Sequence, residues 1–280
     1  MTKIMYGDEA AKIIKERVAN EIKKIGISPK LAVILVGDDP ASQVYVRNKE
    51  RDLAECGILS ETIRVPGNVL QNDVCDIIDE LNMDPTVHGI LVQLPLPEHM
   101  NANQVIQHIH WTKDVDCLTI PNIGRFYAGN PYTVPCTAIG CIDIMKHYNI
   151  EISGKRAVVI GRSAIVGQPL AQMLTNANAT VTVCHSRTPQ PILQDVCLKA
   201  DIICSAVGKS NFVTNRMVKP GAILIDIGIN RGADGKLCGD VDRACYEFAG
   251  SYTPVPKGIG KMTTAELCAN VLTCARDKMI

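Results

Sequence analysis

Short apolar runs alternate along this chain with segments whose apolar residues recur at helical spacing. The runs are rich in Val, Ile and Leu and lie at 31–36, 62–65, 89–94, 157–160, 179–184, 202–207 and 223–227. Each has the length of a buried strand, and helical patterns such as Val74, Ile77, Ile78 and Leu81 lie between them. The alternation predicts an α/β protein with mostly parallel sheets.

Three segments depart from this alternation. Residues 111–130 show no regular spacing, contain the charged run 113–116, and are predicted to be irregular. Residues 232–239 predict a turn or hairpin. Near the end of the chain, Thr263 and Glu266 have the spacing of a capping box that opens a last helix. The apolar face of that helix is expected to pack back on the first domain.

The segment from Gly154 to Leu174 combines a strand, a glycine-bearing turn and a helix. This is the first unit of a dinucleotide-binding fold, in which the pyrophosphate lies at the helix N-terminus. The turn departs from the usual GxGxxG, because Ser163 takes the second glycine position and one more residue precedes Gly167. Many strand-to-helix turns contain glycine, so an ordinary α/β connection is the alternative for this segment.

The end of the next strand bears on cofactor choice. An acidic residue there accepts hydrogen bonds from the adenine ribose and selects NAD, whereas basic or hydroxyl residues accommodate a 2′-phosphate. Here the strand is followed by Ser186 and Arg187, and Arg162 projects from the first turn. These residues favour NADP over NAD. The alternative is that both arginines are solvated surface cations.

Composition narrows the range of partners. Lys plus Arg and Asp plus Glu each number 29, so nothing indicates a nucleic acid or a membrane as partner. The apolar runs are too short to span a bilayer, and the N-terminus lacks the apolar core of a signal peptide. Twelve cysteines occur without a CxxC pair, which predicts reduced core thiols in a cytoplasmic protein without a metal site.

Four polar residues are candidates for chemistry. Tyr45 and Lys49 share one face of the helix that follows the strand at 31–36. Gln93 lies near the end of another strand and Asp116 lies in a loop, so all four can face a crevice at the carboxyl ends of the strands. A lysine partly withheld from water becomes a usable base. The alternatives are a surface lysine, a strand-end glutamine and a loop-capping aspartate.

Several longer segments resemble one enzyme family. They include SQVYVRNKERDLAECGI (42–58), GILVQLPLP (89–97), KDVDCL (113–118), PCTAIG (135–140), VVIGRSAIVGQP (158–169), CHSRT (184–188), GAILIDIGINR (221–231) and TPVPKGIGKMT (253–263). In this order they are similar to the bifunctional methylenetetrahydrofolate dehydrogenase/methenyltetrahydrofolate cyclohydrolase family over essentially the whole chain. The resemblance implies oxidation of 5,10-methylenetetrahydrofolate with NADP⁺, followed by hydrolysis of the methenyl product to 10-formyltetrahydrofolate.

The resemblance also implies a role for each candidate. Lys49 would be the main catalytic residue of the hydrolytic step, Gln93 would tune it, Tyr45 would pack on the aminobenzoate ring, and Asp116 would bind the pterin edge. The implied NADP site comprises Gly161, Arg162, Ser163, Ser186 and Ile229. The fold that the resemblance implies for the chain consists of two α/β domains: a folate-binding catalytic domain (1–135 plus 262–280) and a Rossmann-like NADP-binding domain (136–261). The family is typically a homodimer joined through the cofactor domain.

This chain departs from the family pattern at four positions. Cys117 and Lys257 stand where the family usually has Gly, while Ala138 and Lys261 stand where it has Pro. A positive φ at Cys117 would be costly, and Lys257 or Lys261 is expected along the path of the anionic folate tail. Two other functions stay open on the sequence: a dehydrogenase with weak or lost hydrolysis, and a non-catalytic NADP-binding scaffold.

Overall fold

The computed structural model describes residues 2–232 and 235–276, except for the side chains of residues 40–42, 44 and 45. The strands are β1 (Lys3–Ile4), β2 (Lys30–Val36), β3 (Leu59–Val65), β4 (Gly89–Val92), β5 (Arg156–Ile160), β6 (Thr180–Cys184), β7 (Ile202–Ser205), β8 (Ile223–Asp226), β9 (Asn230–Arg231), β10 (Leu237–Cys238) and β11 (Ser251–Tyr252). The helices are α1 (Gly7–Ile25), α2 (Pro40–Glu55), α3 (Gln71–Met83), α4 (Ala102–Gln107), α5 (Ile120–Tyr127), α6 (Cys136–His147), α7 (Gly167–Asn176), α8 (Gln190–Lys199) and α9 (Ile259–Arg276). Single 3-10 turns lie at Trp111–Lys113, Asn215–Met217 and Arg243–Glu247.

Contacts divide the chain into two compact units. One unit comprises Lys12–Cys136 and Thr264–Ile280, and is called the first unit below. The second unit comprises Met1–Ala11 and Thr137–Thr263. The sequence assigned the N-terminal residues to the first domain, whereas β1 pairs with β11 and so lies in the sheet of the second unit.

The first unit is built on a parallel sheet in the order β3-β2-β4. Its middle strand is the apolar run Leu31–Val36, which is buried throughout, as expected for a strand covered on both faces. Parallel pairing brings the carboxyl ends of β2 and β4 to the same edge, where Gln93 N donates to Ile34 O (2.9 Å). Residues that follow these two strands therefore meet at that edge.

The second unit contains a parallel sheet in the order β1-β11-β8-β7-β5-β6. Strand β5 lies between β6 and β7, and its residues Ala157–Ile160 are buried. Strand β6 forms one edge, and Val183 on it is exposed. The fold class predicted from the alternating pattern, two α/β domains with mostly parallel sheets, is confirmed.

Three local predictions can be judged against this fold. The C-terminal helix does pack on the first unit, since Thr264 Oγ1 donates to Asp52 Oδ2 (2.6 Å). The capping-box prediction is wrong, because α9 begins one turn earlier and Thr263 Oγ1 donates to Ile259 O within the helix. The irregular segment at 111–130 contains α5, which is short and includes a proline and a glycine, so its sequence carries little helical signal.

The cysteines are free and mostly buried, as the composition predicted. All twelve cysteines lie in the described part of the chain and are free; eleven are buried and Cys238 is partly exposed. Burial raises the pKa of Cys204 to about 12, so this thiol stays protonated at neutral pH. Among the described residues, no helix is both long enough and apolar enough to cross a membrane.

Candidate functional site

Lys49 and Gln93 are in direct contact at the carboxyl edge of the first sheet. Lys49 Nζ donates to Gln93 Oε1 (3.0 Å), and Gln93 Nε2 donates to Leu94 O (2.7 Å). A carbonyl can only accept, so the Gln93 amide must turn its nitrogen toward Leu94 and its oxygen toward Lys49. The half-buried lysine therefore has an oriented neutral partner that adds no charge beside it.

Asp116 lies close to this pair in a half-buried position. Burial raises the pKa of the Asp116 carboxyl, while the Lys49 charge and a hydrogen bond from the Cys136 thiol partly offset that rise. The structure thus brings together three of the four predicted catalytic residues. The fourth, Tyr45, lies one turn before Lys49 in α2, and its side chain is outside the described residues.

The loop of Asp116 is shaped by Asp114, whose role the sequence did not reveal. This buried carboxylate accepts from the backbone nitrogens of Asp116 (3.3 Å), Leu118 (3.2 Å) and Thr119 (2.8 Å). It also accepts from the Thr119 hydroxyl (2.7 Å) and from Asn122 Nδ2 (3.0 Å). The charged run at 113–116 is therefore partly buried and holds the loop in shape, because Asp114 fixes the backbone that carries Asp116.

The C-terminal helix α9 contacts the loop of Asp116 through the side chain of Asn270. Asn270 Nδ2 donates to Val115 O (2.8 Å) and Val134 O (2.7 Å), and it lies 3.3 Å from Cys136 Sγ. Asn270 is buried, as is Cys136, whose thiol donates to Val115 O (3.5 Å). One amide thus joins the segments on either side of Asp116. The apolar spacing of the last helix gave no sign of this polar contact.

The glycine turn of the second unit leaves room only for backbone. Gly161 has φ +124, and a Cβ there would lie 2.6 Å from Ala206 O. A Cβ on Gly167 would lie 2.9 Å from Arg162 N. Ser163 Oγ accepts from Val166 N (3.2 Å) and Gly167 N (3.3 Å), so it satisfies donors at the start of α7. A close strand-to-helix turn of this kind fits a dinucleotide pyrophosphate.

The remaining predicted cofactor residues are exposed around the same sheet edge. Arg162 follows β5, Ser186 and Arg187 follow β6, and Ile229 follows β8. The turn after β6 is closed by Thr188, whose Oγ1 accepts from His185 N (3.0 Å). This turn holds no carboxylate, and its exposed hydroxyl and guanidinium groups fit a ribose that carries a phosphate.

Two buried aspartates beneath this edge also escaped the sequence analysis. The Asp226 carboxylate accepts from the backbone nitrogens of Gly228, Asp240 and Val241. Burial is the main cause that raises the pKa of Asp226, to about 7, and the nearby Asp240 carboxylate adds to the rise. Gly228 and Gly239 press against these carboxylates so closely that a Cβ on either would overlap one of them. The sequence signal that could have revealed the two buried aspartates is the glycine close to each of them, Gly228 after Asp226 and Gly239 before Asp240.

The departures from the family pattern have structural counterparts. Cys117 has φ 59 and Lys257 has φ 82, so both non-glycine residues adopt the left-handed conformation. Lys261 Nζ lies 3.6 Å from an Asp8 carboxylate oxygen, which gives this cation a partner in the protein itself. Ala138 is fully buried near the start of α6.

The first unit, with its Lys–Gln–Asp cluster, and the Rossmann-type second unit define a two-domain, dinucleotide-dependent enzyme. Residues 5–116 match the family model "Tetrahydrofolate dehydrogenase/cyclohydrolase, catalytic domain", and residues 135–279 match the corresponding "NAD(P)-binding domain". The chain belongs to the tetrahydrofolate dehydrogenase/cyclohydrolase family, as its sequence predicted. It is therefore a bifunctional enzyme of folate one-carbon chemistry, with an NAD(P)-binding domain as its second part.

Individual relatives agree over nearly the full length. The chain is 46% identical over 281 residues to "Bifunctional protein FolD" of Magnetococcus marinus, covering 99% of this chain and 98% of that protein. The crystal structure of a FolD enzyme from Campylobacter jejuni is 42% identical with a TM-score of 0.94, covering 99% of both chains. The Trypanosoma brucei enzyme, complexed with NADP cofactor and inhibitor, is 35% identical with a TM-score of 0.94, covering 99% of this chain and 98% of that one.

Proposed function

We propose that this chain oxidises 5,10-methylenetetrahydrofolate with NADP⁺ and hydrolyses the resulting methenyl cation to 10-formyltetrahydrofolate. The observation that carries the second activity is the hydrogen bond from Lys49 to an oriented Gln93, with Asp116 close by. The intact pair favours this function over a dehydrogenase without hydrolysis. In functional terms we assign 1–135 plus 262–280 to folate binding and catalysis, and 136–261 to the cofactor.

The oxidative step asks the first unit mainly to position the substrate. Two folate nitrogens flank the methylene carbon, and their lone pairs stabilise the cation that hydride loss leaves behind. No strong acid is needed, so correct placement of the carbon supplies much of the acceleration. Asp116 suits the pterin edge, because a carboxylate short of water gains from the N–H donors of an aminopyrimidine. Tyr45 would pack on the aminobenzoate ring.

The hydrolytic step needs a proton acceptor beside the same carbon. Water adds to the methenyl carbon and must lose a proton as the C–O bond forms. We assign this proton to Lys49, acting as an amine, and its return to the departing folate nitrogen to the resulting ammonium, while the second proton of the water passes to solvent as the formyl C=O bond forms and the C–N bond breaks. Gln93 holds the Lys49 side chain in one direction, because its amide oxygen accepts a hydrogen bond from the Lys49 nitrogen.

We assign the cofactor site to Gly161, Arg162, Ser163, Ser186 and Ile229. When bound, NADP⁺ supplies the hydride acceptor. The glycine turn admits the pyrophosphate, and the exposed Arg162 and Ser186 bind the 2′-phosphate. Arg162→Ala should therefore shrink an NADP⁺ preference of at least about tenfold, since one charge-assisted contact contributes roughly 1.5–3 kcal/mol. Equal specificity constants for NADP⁺ and NAD⁺ in the unchanged enzyme would contradict this assignment.

We further propose a cytoplasmic homodimer joined through the second unit, with no nucleic acid or membrane partner. The supporting feature is β6, which forms one edge of the described sheet and exposes Val183 (40%), because an edge strand can pair with a second chain. Sedimentation equilibrium should give twice the chain mass, and Val183→Lys should shift it toward the monomer. A monomer at micromolar concentration would refute the proposal.

Lys49→Met is the experiment that tests the function. It retains the length of the side chain and removes the amine, so hydrolysis of methenyltetrahydrofolate should fall by well over tenfold, a barrier change above ~1.4 kcal/mol. Circular dichroism and NADP⁺ binding serve as folding controls, because Lys49 lies in the first unit. A variant that hydrolyses at more than about a tenth of the original rate would remove Lys49 from this role.

A further inference from the structure

Asp240 lies completely buried beneath the two loops that follow β7 and β8. Its carboxylate accepts from the backbone nitrogens of Val207 (2.8 Å), Gly208 (3.3 Å) and Lys209 (2.9 Å). Ser205 Oγ (3.1 Å) and Asn230 Nδ2 (3.0 Å) complete the shell. All five partners are donors, and they come from both loops. One side chain thus fixes the course of two loops at the carboxyl edge of the sheet.

These loops lie on the side of β5 where the dinucleotide must continue. The strand order is β8-β7-β5-β6, and in this fold the adenine ribose lies at the end of the strand that β6 represents. The pyrophosphate crosses the turn after β5, so the nicotinamide half extends over the ends of β7 and β8. Ile229 lies there, between Gly228, which presses against the Asp240 carboxylate, and Asn230, which donates to it.

The link to the glycine turn is also direct. The Cβ position of Gly161 lies 2.6 Å from Ala206 O, and Ala206 immediately precedes the three amides that Asp240 holds. A shift of the loop after β7 would therefore press on the turn after β5. Asp226 supports the arrangement, because it accepts from the backbone nitrogens of Asp240 and Val241 (2.8 and 3.0 Å) and keeps Asp240 in place.

We propose that Asp240 is a positioning residue for the dinucleotide, which holds the loops after β7 and β8 in the shape that the nicotinamide half requires. The inference rests on the proposed cofactor site, and it adds a residue that is itself too buried to touch the cofactor. It predicts a selective defect: weakened NADP⁺ binding and dehydrogenation, with hydrolysis at Lys49 unaffected because that step uses the first unit and no cofactor.

Asp240→Asn is the main test. The new Nδ2 would face donors only, so the loops must move. Calorimetric titration of the protein with NADP⁺ should show a dissociation constant raised by at least about tenfold, and the KM for NADP⁺ in the dehydrogenase assay should rise in parallel. Cyclohydrolase activity without cofactor should stay within about twofold, a change of only ~0.4 kcal/mol in the barrier.

Asp201→Asn is the matched control. Asp201 lies in the same unit but accepts from Arg156 N (2.8 Å) at the amino end of β5, opposite to the cofactor edge. It should leave the NADP⁺ dissociation constant within about twofold. The unfolding temperatures of both variants are also measured. They show whether any loss of NADP⁺ affinity merely follows a loss of stability or exceeds it, as a shift of the loops would require. Parallel loss of both activities in Asp240→Asn, in proportion to lost stability, would reduce Asp240 to a structural residue and overturn the proposal.

Ser205→Ala keeps the test decisive if Asp240→Asn does not fold. Ser205 is too buried to touch the cofactor, its hydroxyl donates to Asp240, and alanine fills nearly the same space. We expect NADP⁺ affinity to fall about threefold with hydrolysis unchanged, the size of one weakened hydrogen bond. Unchanged affinity in Ser205→Ala, or in a folded Asp240→Asn, overturns the proposal. Absence of NADP⁺ binding by the unchanged protein would instead contradict the proposed function itself.

Discussion

Both units bury a carboxylate beneath the loop that carries their candidate site residues. The two carboxylates differ in how far along the sequence their hydrogen-bond donors lie. The donors to Asp114 lie two to eight residues ahead of it, within one loop and the helix that follows. The donors to Asp240 lie 10 to 35 residues away, on two separate loops. The first arrangement can form as its own segment folds, whereas the second requires that β7, β8 and the segment at 240 have already come together.

The difference also concerns charge. The carboxyl nearest to Asp114 along the loop is the half-buried Asp116, whereas Asp240 lies beside Asp226, which is itself almost completely buried. Burial, with a smaller contribution from the Asp240 charge, raises the pKa of Asp226 to about 7, so this carboxyl takes up a proton near neutrality. The segment that shapes the cofactor loops thus contains a carboxyl, Asp226, whose protonation changes near neutral pH.

The largest expected effect comes from Asp226. Its folded pKa is raised from 3.8 to about 7, so the folded protein holds a proton that the unfolded chain releases, and stability falls as pH rises from about 4 to about 7. The Asp240 carboxylate, the Cys245 thiol and the Tyr246 hydroxyl are the titratable groups near it. Asp226→Asn should remove up to ~4 kcal/mol of this pH dependence in denaturant titrations.

Asp201→Asn is the control of opposite sign for that measurement. The Asp201 pKa is lowered by Lys219 and by Arg156 N, so its contribution is present above about pH 4 and is lost as pH falls. Its substitution should change only the acid side of the profile. An Asp226→Asn profile parallel to that of the unchanged protein between pH 4 and 7 would show that Asp226 does not titrate there.

Asp114→Ala should have the next largest effect. It leaves five donors without their acceptor in a buried loop, at a cost of about 3 kcal/mol in the free energy of unfolding. Because the loop carries Asp116, both activities should fall, in contrast to the selective defect expected at Asp240. Asp79→Ala is a suitable control, since Asp79 is exposed and bonds only weakly to His108 (3.2 Å). Retained hydrolysis in Asp114→Ala would mean that the loop keeps its shape without the carboxylate.

The smallest expected effect is on the stability of variants at Cys117 and Lys257, the two left-handed positions described above. A left-handed non-glycine residue costs roughly 1–2 kcal/mol, and glycine gives back part of this by loosening the unfolded chain. Lys257 is exposed, so Lys257→Gly should raise stability by about 1 kcal/mol. Cys117 is buried, and Cys117→Gly forfeits the packing of the thiol, so the net change should be near zero. Lys257→Ala retains the strain and should give no gain in thermal unfolding.

Patterning predicted the fold because the sheets follow simple apolar runs. Leu31–Val36 and Ala157–Ile160 read as buried parallel strands, and parallel pairing then placed Lys49 and Gln93 at one edge. The buried polar side chains that hold the loops in place could not be predicted from apolar patterning. Lys113 belongs to a charged run in a segment that was predicted only to be irregular, yet its ammonium donates to Leu81 O (2.6 Å) and Asp84 O (2.7 Å), carbonyls that only the folded chain brings near. Asp240 escaped for the same reason, since its partners are mostly backbone groups of remote loops.

The distribution of thiols makes the protein open to site-selective labelling without any engineering. Eleven of the twelve cysteines are buried, and Cys238 is the one that solvent reaches. Its sulfur lies 3.2 Å from Ser210 Oγ, one residue beyond the amides that Asp240 holds. A maleimide fluorophore should therefore attach at a single native position in the folded enzyme, and its emission should respond when NADP⁺ binds over the loop after β7.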